Sequence, residues 1–178
     1  MPLSPPASRR HVHTRFLEIK GYGRDDGLWD IEGHLTETPY QDGKPDDHPM
    51  HEMWLRLTVD EELLVHRSEA STVHGPYRIC PDAARNFTRL AGLRIGQGWT
   101  KAARERVGGV HGCTHLVEML GQMATAAMQT LWPVQEAKRK RVAGGELTPS
   151  LGVLDSCMAY DTSGPMVKEL YPRYYTGK

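Results

Sequence analysis

The chain has 178 residues, 39% hydrophobic and 25% charged, so it is long enough to fold as one domain without disulfides. Its 22 basic and 22 acidic residues give a formal net charge of zero, which argues against a nucleic-acid partner. No apolar run approaches the roughly 20 residues that cross a bilayer, and no secretory signal is evident. We expect a cytoplasmic domain at residues 11–178, preceded by a flexible arm at residues 1–10, with no membrane partner.

The first half of the chain predicts an antiparallel sheet. Strands are predicted at residues 11–20, 28–38, 51–59 and 63–70. In the second of these, Trp29, Ile31 and Leu35 share one face, as the two-residue period of a strand requires. Turn-forming residues follow the first strand and favour a hairpin. The simplest assembly is a meander of about four antiparallel strands.

The second half predicts helices. Short helices are predicted at residues 81–90, 100–107 and 165–170. The longest begins with Thr114 as its N-cap and is expected to end at Pro133. Its buried face includes Leu120, Met123 and Ala127, which follow helical spacing. The order of elements predicts an α+β fold of two layers, with C-terminal helices covering the meander.

The segment before the long helix is the first candidate for chemistry. A glycine-rich loop leads into the helix N-terminus, where unpaired N–H groups and the helix dipole favour an anion or a thiolate. We expect Cys113 to act as a nucleophile and His115 as its general base. Gly112 and Thr114 are expected to contact the substrate, and Glu118 can orient the His115 ring.

Metal ligation is the alternative use of this segment. His51, Cys80 and His111 are candidate ligands. Cys80, Cys113 and His115, completed by a carboxylate, would suit a metal ion or an iron–sulfur cluster. The three cysteines lie far apart and form no CxxC pair, which argues for a reducing compartment and against a disulfide framework.

The polar face of the predicted sheet is the second candidate. Asp30 and Glu32 project together and are assigned catalytic roles, while Trp54 and Arg56 are assigned to substrate binding. The first strand contributes His11, His13 and Arg15 on one face. We expect this polar face to share one pocket with the loop that carries Cys113. The alternative is that the polar face simply lies in water.

Four sequence blocks carry a resemblance to a known family. They are residues 21–32 (GYGRDDGLWDIE), 51–58 (HEMWLRLT), 93–99 (LRIGQGW) and 112–116 (GCTHL). In this order the blocks resemble a bacterial family of unknown function, DUF2889, over residues 10–175. The resemblance implies no activity, cofactor or catalytic residue. The layout of strands followed by helices also resembles the iron–sulfur scaffold fold, which would imply a bound cluster.

Three functions remain open at this point. The preferred one is an enzyme that acts on a small anionic substrate, a carboxylate or an acyl thioester, through Cys113 and His115. The second is a carrier of a metal ion or iron–sulfur cluster, and the third is a ligand-binding module without catalysis. Each is compatible with a homo-oligomer, and the sequence does not decide whether the protein is an enzyme.

Overall fold

The computed structural model describes residues 3–142, 148–149 and 152–177. The strands are β1 (His13–Gly23), β2 (Trp29–Gln41), β3 (Lys44–Pro45), β4 (His51–Val59) and β5 (Val65–His74). The α-helices are α1 (Cys80–Arg85), α2 (Trp99–Val107), α3 (Thr114–Val142) and α4 (Pro165–Leu170). Short 3-10 helices occupy Asn86–Leu90, Gly109–His111, Met158–Tyr160 and Pro172–Tyr174.

The sheet is an antiparallel meander, as the alternation of residues predicted. Its order is β1-β2-β4-β5, and the two-residue strand β3 pairs with the end of β2. The predicted hairpin joins β1 to β2, where Arg24 N donates to Leu28 O at 2.9 Å. Gly27 has a φ of 82° in this turn, a conformation that residues with a Cβ rarely adopt. The α+β class is therefore confirmed.

The core lies between the inner face of the sheet and α3. Leu120, Met123 and Ala127 of α3 are buried, as predicted. They pack in one cluster with Ile31 of β2 and the apolar side chains of β4. Gly33 on β2 gives room for α3, because an added Cβ there would lie 2.7 Å from a methionine methyl of the helix and this side chain would have to shift. Helix α3 thus covers one face of the sheet, the inner face.

Pro133 lies inside α3 and does not end it, which corrects the predicted boundary. The proline removes one backbone donor, yet the following turns continue to Val142. They are held against the turn between β4 and β5, where Gln135 Nε2 donates to the carbonyl of Glu61 at 2.8 Å. Lys138 also contacts the carboxylates of Glu61 and Glu62. Tertiary contacts therefore override the local stop signal.

The other helices lie where they were predicted, with small shifts. The segment at residues 81–90 forms α1 and a 3-10 helix rather than one continuous helix. Helices α2 and α4 agree with their predicted ranges to within one residue. In the described part of the chain, no helix has both the length and the hydropathy needed to cross a membrane.

Candidate metal centre

A row of polar side chains lies at one end of the inner face of the sheet. Arg15 on β1, Glu37 on β2 and His51 on β4 are direct cross-strand partners. The alternation that buries Ile31 and Leu35 also directs Glu37 inward, and the pattern of β4 does the same for His51. The strand period therefore places a carboxylate and an imidazole side by side beneath the helical layer.

Helix α3 adds a second imidazole to this row. His115 is the second residue of the helix, and its Nε2 lies 3.1 Å from Glu37 Oε2. The rings of His51 and His115 have centroids 4.0 Å apart. The approach of the helix start depends on Gly112, because a Cβ there would collide with the carbonyl of Val107. Gly112 therefore helps to position the start of the helix, and its contact with a substrate stays a prediction.

Arg15 fixes the orientation of the Glu37 carboxylate. Its Nε donates to Glu37 Oε1 at 2.6 Å, and its Nη1 donates to Glu118 Oε2 at 2.6 Å. This leaves Glu37 Oε2 to face both imidazoles. Glu118 contacts Arg15 in this arrangement, so it is Glu37, and not Glu118 as the sequence suggested, that faces the His115 ring.

His51 carries an unusual nitrogen. Its Nδ1 lies 2.7 Å from Glu37 Oε2, but this contact does not have the geometry of a hydrogen bond. Within the described residues Nδ1 is buried and has no hydrogen-bond partner. Glu37 and His51 are only 6% and 9% exposed, and an unmade hydrogen bond at such depth costs about 1–3 kcal/mol. Nδ1 is therefore a candidate donor atom for a ligand.

The three groups fit a divalent transition metal ion. Glu37, His51 and His115 each offer a donor atom, and these atoms lie within 4.8 Å of one another. Two imidazoles and one carboxylate are donors that Zn²⁺ and Fe²⁺ accept. Tetrahedral Zn²⁺ places its donors about 3.3 Å apart, so the contacts at 2.7 and 3.1 Å would open by about 0.6 and 0.2 Å.

The charges at the site suit a metal at neutral pH. Burial alone would raise the pKa of Glu37, but the Arg15 guanidinium and the neighbouring imidazoles outweigh it and hold the pKa below its usual 4.5. Burial lowers the pKa of His115 below 6.5, and electrostatic repulsion from His51 lowers it further. Together these effects outweigh Glu37, which acts in the opposite direction. An ionised carboxylate and a neutral imidazole result, and these are the forms that ligate metals.

Cys113 contacts the ring nitrogen of His115 that does not face Glu37. Its Sγ is 3.8 Å from His115 Nδ1 and 3.7 Å from the sulfur of Met53. The carbonyl of Cys113 accepts a hydrogen bond from Val117 N at 3.0 Å, so it is Cys113 that occupies the capping position predicted for Thr114. The thiol therefore faces one nitrogen of the imidazole while Glu37 faces the other.

The outer face of the sheet holds the other predicted site residues. The thiol of Cys113 packs against Met53, an inner-face residue, whereas Asp30, Glu32, Trp54 and Arg56 occupy the opposite face of their strands. The prediction of one pocket shared with Cys113 is wrong, because neighbouring residues of a strand point to opposite faces. On the outer face a cavity of about 210 Å³ has Trp54, Arg56 and Glu32 among its lining residues.

The outer-face residues are engaged with one another. Thr58 donates to Asp30 at 2.6 Å, and Arg56 contacts Glu32 and Glu69 at 2.6 Å each. Trp54 is 41% exposed and stacks on His34 with ring centroids 3.8 Å apart. These contacts describe a polar face in solvent, the alternative that the sequence left open.

Two residues of β1 that were expected on the polar face lie on the inner face instead. Arg15 contacts Glu37 there, and His13 Nε2 lies 3.9 Å from the same carboxylate. His11 instead stacks on Tyr40 near the start of the sheet. The first residues of β1 therefore place basic side chains next to the candidate centre.

Two proposed metal ligands lie outside the centre. Cys80 begins α1, where its carbonyl accepts a bond from Thr72 Oγ1, and the carbonyl of His111 accepts one from Asn86. Neither belongs to the Glu37, His51 and His115 group, which is the single three-donor group among the described residues. The ligand set built on Cys80, Cys113 and His115 is therefore not assembled. Of the three metal candidates, His51 alone lies in the centre.

The sequence carried a signal for the residue that was missed. Glu37 continues the odd-numbered series of Ile31 and Leu35, and His51 continues that of Met53 and Leu55 in the same way. A charged residue in phase with an apolar strand face is unusual enough to mark a buried polar site.

The fold and the site define an α+β domain with a buried histidine–glutamate centre between its sheet and its longest helix. Residues 13–129 match the family described as "Protein of unknown function (DUF2889)". The match covers more than half of the chain, and the chain belongs to that family. Neither a curated protein nor a solved structure matches the chain.

Proposed function

We propose that the protein is a metal-dependent enzyme that acts on a small anionic molecule, a carboxylate or an acyl thioester. Glu37, His51 and His115 would hold one divalent transition metal ion. The observation that carries the proposal is the buried His51 Nδ1, which lacks a hydrogen-bond partner in the described structure and faces two further metal-binding groups. A purely structural histidine in this position would be expected to use that nitrogen.

The donor set favours catalysis over structural metal binding. Structural zinc sites use four protein ligands, whereas catalytic sites use three and keep a position open. An ion in an open site polarises a substrate oxygen or lowers the pKa of a bound water. The side chain of His115 is 22% exposed, so the donors are within reach of solvent at one side.

The charge around the site supports an anionic substrate. Glu37 and Glu118 contribute two negative charges, and Arg15 contributes one positive charge. A bound dication would leave the group with one net positive charge, which attracts an anion. Arg15 and His13 border the site with side chains 41% and 46% exposed. They form a basic rim on the solvent side.

The proposed location is the cytoplasm. Cys80, Cys113 and Cys157 are all free thiols, and none forms a disulfide with another. Free thiols persist in reducing compartments. A cytoplasmic enzyme can also meet acyl thioesters, one of the two proposed substrate classes.

A matched pair of histidine variants tests metal binding. His115 and His34 have side chains 22% and 21% exposed, and each lies next to a glutamate. Titration of chelator-treated protein with Zn²⁺ should show one equivalent bound. His115→Gln should weaken binding on the order of 100-fold or more, whereas His34→Gln should leave it unchanged. Equal binding by both variants, or no binding of Zn²⁺, Fe²⁺, Co²⁺ or Mn²⁺ by the unaltered chain, would rule the proposal out.

A second function is favoured by the contacts of Cys113. Sulfur, imidazole and carboxylate follow one another in the order Cys113, His115, Glu37, at 3.8 and 3.1 Å. This is the arrangement of a nucleophile, its base and the group that orients the base. His115 Nδ1 would take the thiol proton, and the thiolate would attack the thioester carbonyl carbon and expel the substrate's thiolate, which would take up that proton. Water would then hydrolyse the acyl-cysteine to a free carboxylate and regenerate the Cys113 thiol.

Catalysis of model thioester hydrolysis separates the two functions. The metal-dependent enzyme should lose activity with a chelator and regain it with Zn²⁺, and should keep most of it in Cys113→Ser. The thiol enzyme should retain activity with a chelator and lose it in Cys113→Ser. Metal binding without turnover of any carboxylate or thioester would instead favour a carrier or a binding module.

A further inference from the structure

Strand β1 forms one end of the sheet and leaves a long backbone edge. It spans His13–Gly23, and β2 is its one neighbour in the described sheet. Arg24 N bonds to Leu28 O, and Tyr40 N bonds to Val12 O, so the even-numbered residues at both ends pair with β2. Antiparallel hydrogen bonds alternate along a strand, so the odd-numbered residues direct their N–H and C=O groups outward.

We propose that two copies of this chain pair through their β1 edges to form a symmetric dimer with one continuous sheet. The strands would run antiparallel about a two-fold axis at Ile19. The outward N–H and C=O groups of Ile19 would bond to those of Ile19 in the second copy. No other segment of the described chain pairs with this edge, and such edges are templates for strand addition.

The side chains of the outer face specify this register. A two-fold axis at Ile19 places Glu18 opposite Lys20 of the second copy, and the same contact occurs twice by symmetry. It also places Phe16 opposite Tyr22 of the second copy, again twice. Phe16 and Tyr22 are 53% and 44% exposed in the single chain, so both aromatic rings would gain a partner.

Neighbouring registers lack this agreement. An axis at Glu18 places the two Glu18 carboxylates opposite each other, and an axis at Lys20 places the two Lys20 ammonium groups opposite each other. Like charges directly opposite each other destabilise a strand pair. An axis at Leu17 places Glu18 opposite Phe16 and gives Lys20 no acidic partner in the second copy. Among these four registers, only the one with its axis at Ile19 forms both the charged pairs and the aromatic pairs.

The inner face accommodates the same register. Leu17 would lie opposite Gly21 of the second copy, which has no side chain of its own. Gly21 itself lies beneath Thr130 of α3, and an added Cβ there would collide with that side chain. The proposed interface does not depend on the proposed metal, because none of Glu37, His51 and His115 lies on β1.

Charge reversal tests the interface with residues that are accessible. The side chains of Glu18 and Lys20 are 40% and 53% exposed, so either can be changed without altering the core. Sedimentation equilibrium of the full chain should give about twice its 20.0 kDa mass at micromolar concentration. Glu18→Lys and Lys20→Glu should each raise the dimer dissociation constant at least about tenfold.

Two combinations make the test specific. The double variant Glu18→Lys with Lys20→Glu should dimerise like the unaltered chain. An equimolar mixture of the two single variants should form a heterodimer, because each supplies the charge that the other needs. Thermal unfolding of each variant confirms that it is folded. A monomer at all concentrations, or a dimer that none of the single variants weakens, would overturn the proposal.

Discussion

Two glutamates on neighbouring strands each lie between two histidines, one on each face of the sheet. On the inner face Glu37 Oε2 lies 2.7 Å from His51 and 3.1 Å from His115. On the outer face Glu52 contacts His34 at 3.3 Å through one oxygen and His74 at 3.0 Å through the other. The residue types are the same, but the geometry differs.

The difference separates a candidate metal centre from a surface network. At Glu37 both imidazoles converge on one oxygen, and the carboxylate side chain is 8% exposed. At Glu52 the two imidazoles are held on separate oxygens, and the side chain is 23% exposed. Convergence and burial, rather than composition, therefore decide where an ion can be held.

The largest expected effect is the loss of the inner carboxylate. Glu37→Gln removes the charge that faces both imidazoles, and Zn²⁺ affinity should fall on the order of 100-fold or more. Glu52→Gln makes the same chemical change on the outer face and should alter affinity less than about threefold. Competition with a chromogenic chelator measures both. Equal losses in the two variants would erase the distinction between the faces.

The next effect concerns the two arginines that each bridge a pair of carboxylates. Arg15 contacts Glu37 and Glu118 at 2.6 Å, and Arg56 contacts Glu32 and Glu69 at the same distance. Arg15→Ala frees the ligand carboxylate to rotate and should weaken Zn²⁺ binding about 10- to 100-fold. Arg56→Ala serves as the control. An Arg15→Ala protein that binds Zn²⁺ normally would show that Glu37 needs no orienting partner.

A smaller effect is expected in the pH dependence of stability without metal. The pKa of His115 is lowered from 6.5, so the unfolded chain binds its proton more readily than the folded chain does. Stability should therefore fall as pH decreases below 6.5, by at most about 1.4 kcal/mol per pH unit. His115→Gln should remove this slope, and His34→Gln should keep it. Urea unfolding of each variant between pH 5 and pH 7, with a chelator present, measures this slope.

The free energy of unfolding should fall further under more acidic conditions. The pKa of Glu37 is held below 4.5, so its stabilising contribution is present above pH 4.5 and is lost as pH falls through the folded value. The pKa of Glu52 is also lowered, because its two neighbouring histidines outweigh the effect of burial. The two faces therefore respond alike to strong acid and differ in metal binding.

The smallest expected effect is that of the thiol on metal binding. Cys113 faces His115 Nδ1 at 3.8 Å, the ring nitrogen that does not face Glu37. Cys113→Ser should change Zn²⁺ affinity less than the 10- to 100-fold that is typical when a strong outer partner is lost. Calorimetric titration of the variant checks this, with Cys157→Ser as an exposed control. A larger loss would show that the sulfur is itself a ligand.

Much of the fold was predictable from the sequence because its signals are periodic. The alternation of residues 51–59 and the helical spacing of Leu120, Met123 and Ala127 each specify which face is buried. Pro133 was misread because a local stop signal was outweighed by contacts with the turn after β4. Such contacts cannot be seen without the tertiary structure.

Two of the three groups of the candidate site were predictable from the sequence. His115 was identified from its place at a helix start, and His51 was among the metal candidates. Glu37 was missed because its importance depends on the register that sets it opposite Arg15 and His51. The single pocket joining Asp30 to Cys113 failed because the strand period sends them to opposite faces.

X-ray absorption of the Zn²⁺-loaded protein tests the central claim most directly. Two imidazole nitrogens and one carboxylate oxygen at about 2.0–2.2 Å are predicted, with no sulfur at about 2.3 Å. His51→Gln and His115→Gln should each remove one imidazole from the spectrum, while His34→Gln should leave it unchanged. A sulfur ligand, or an imidazole contribution that stays undiminished in His51→Gln or in His115→Gln, would contradict a metal centre built from Glu37, His51 and His115.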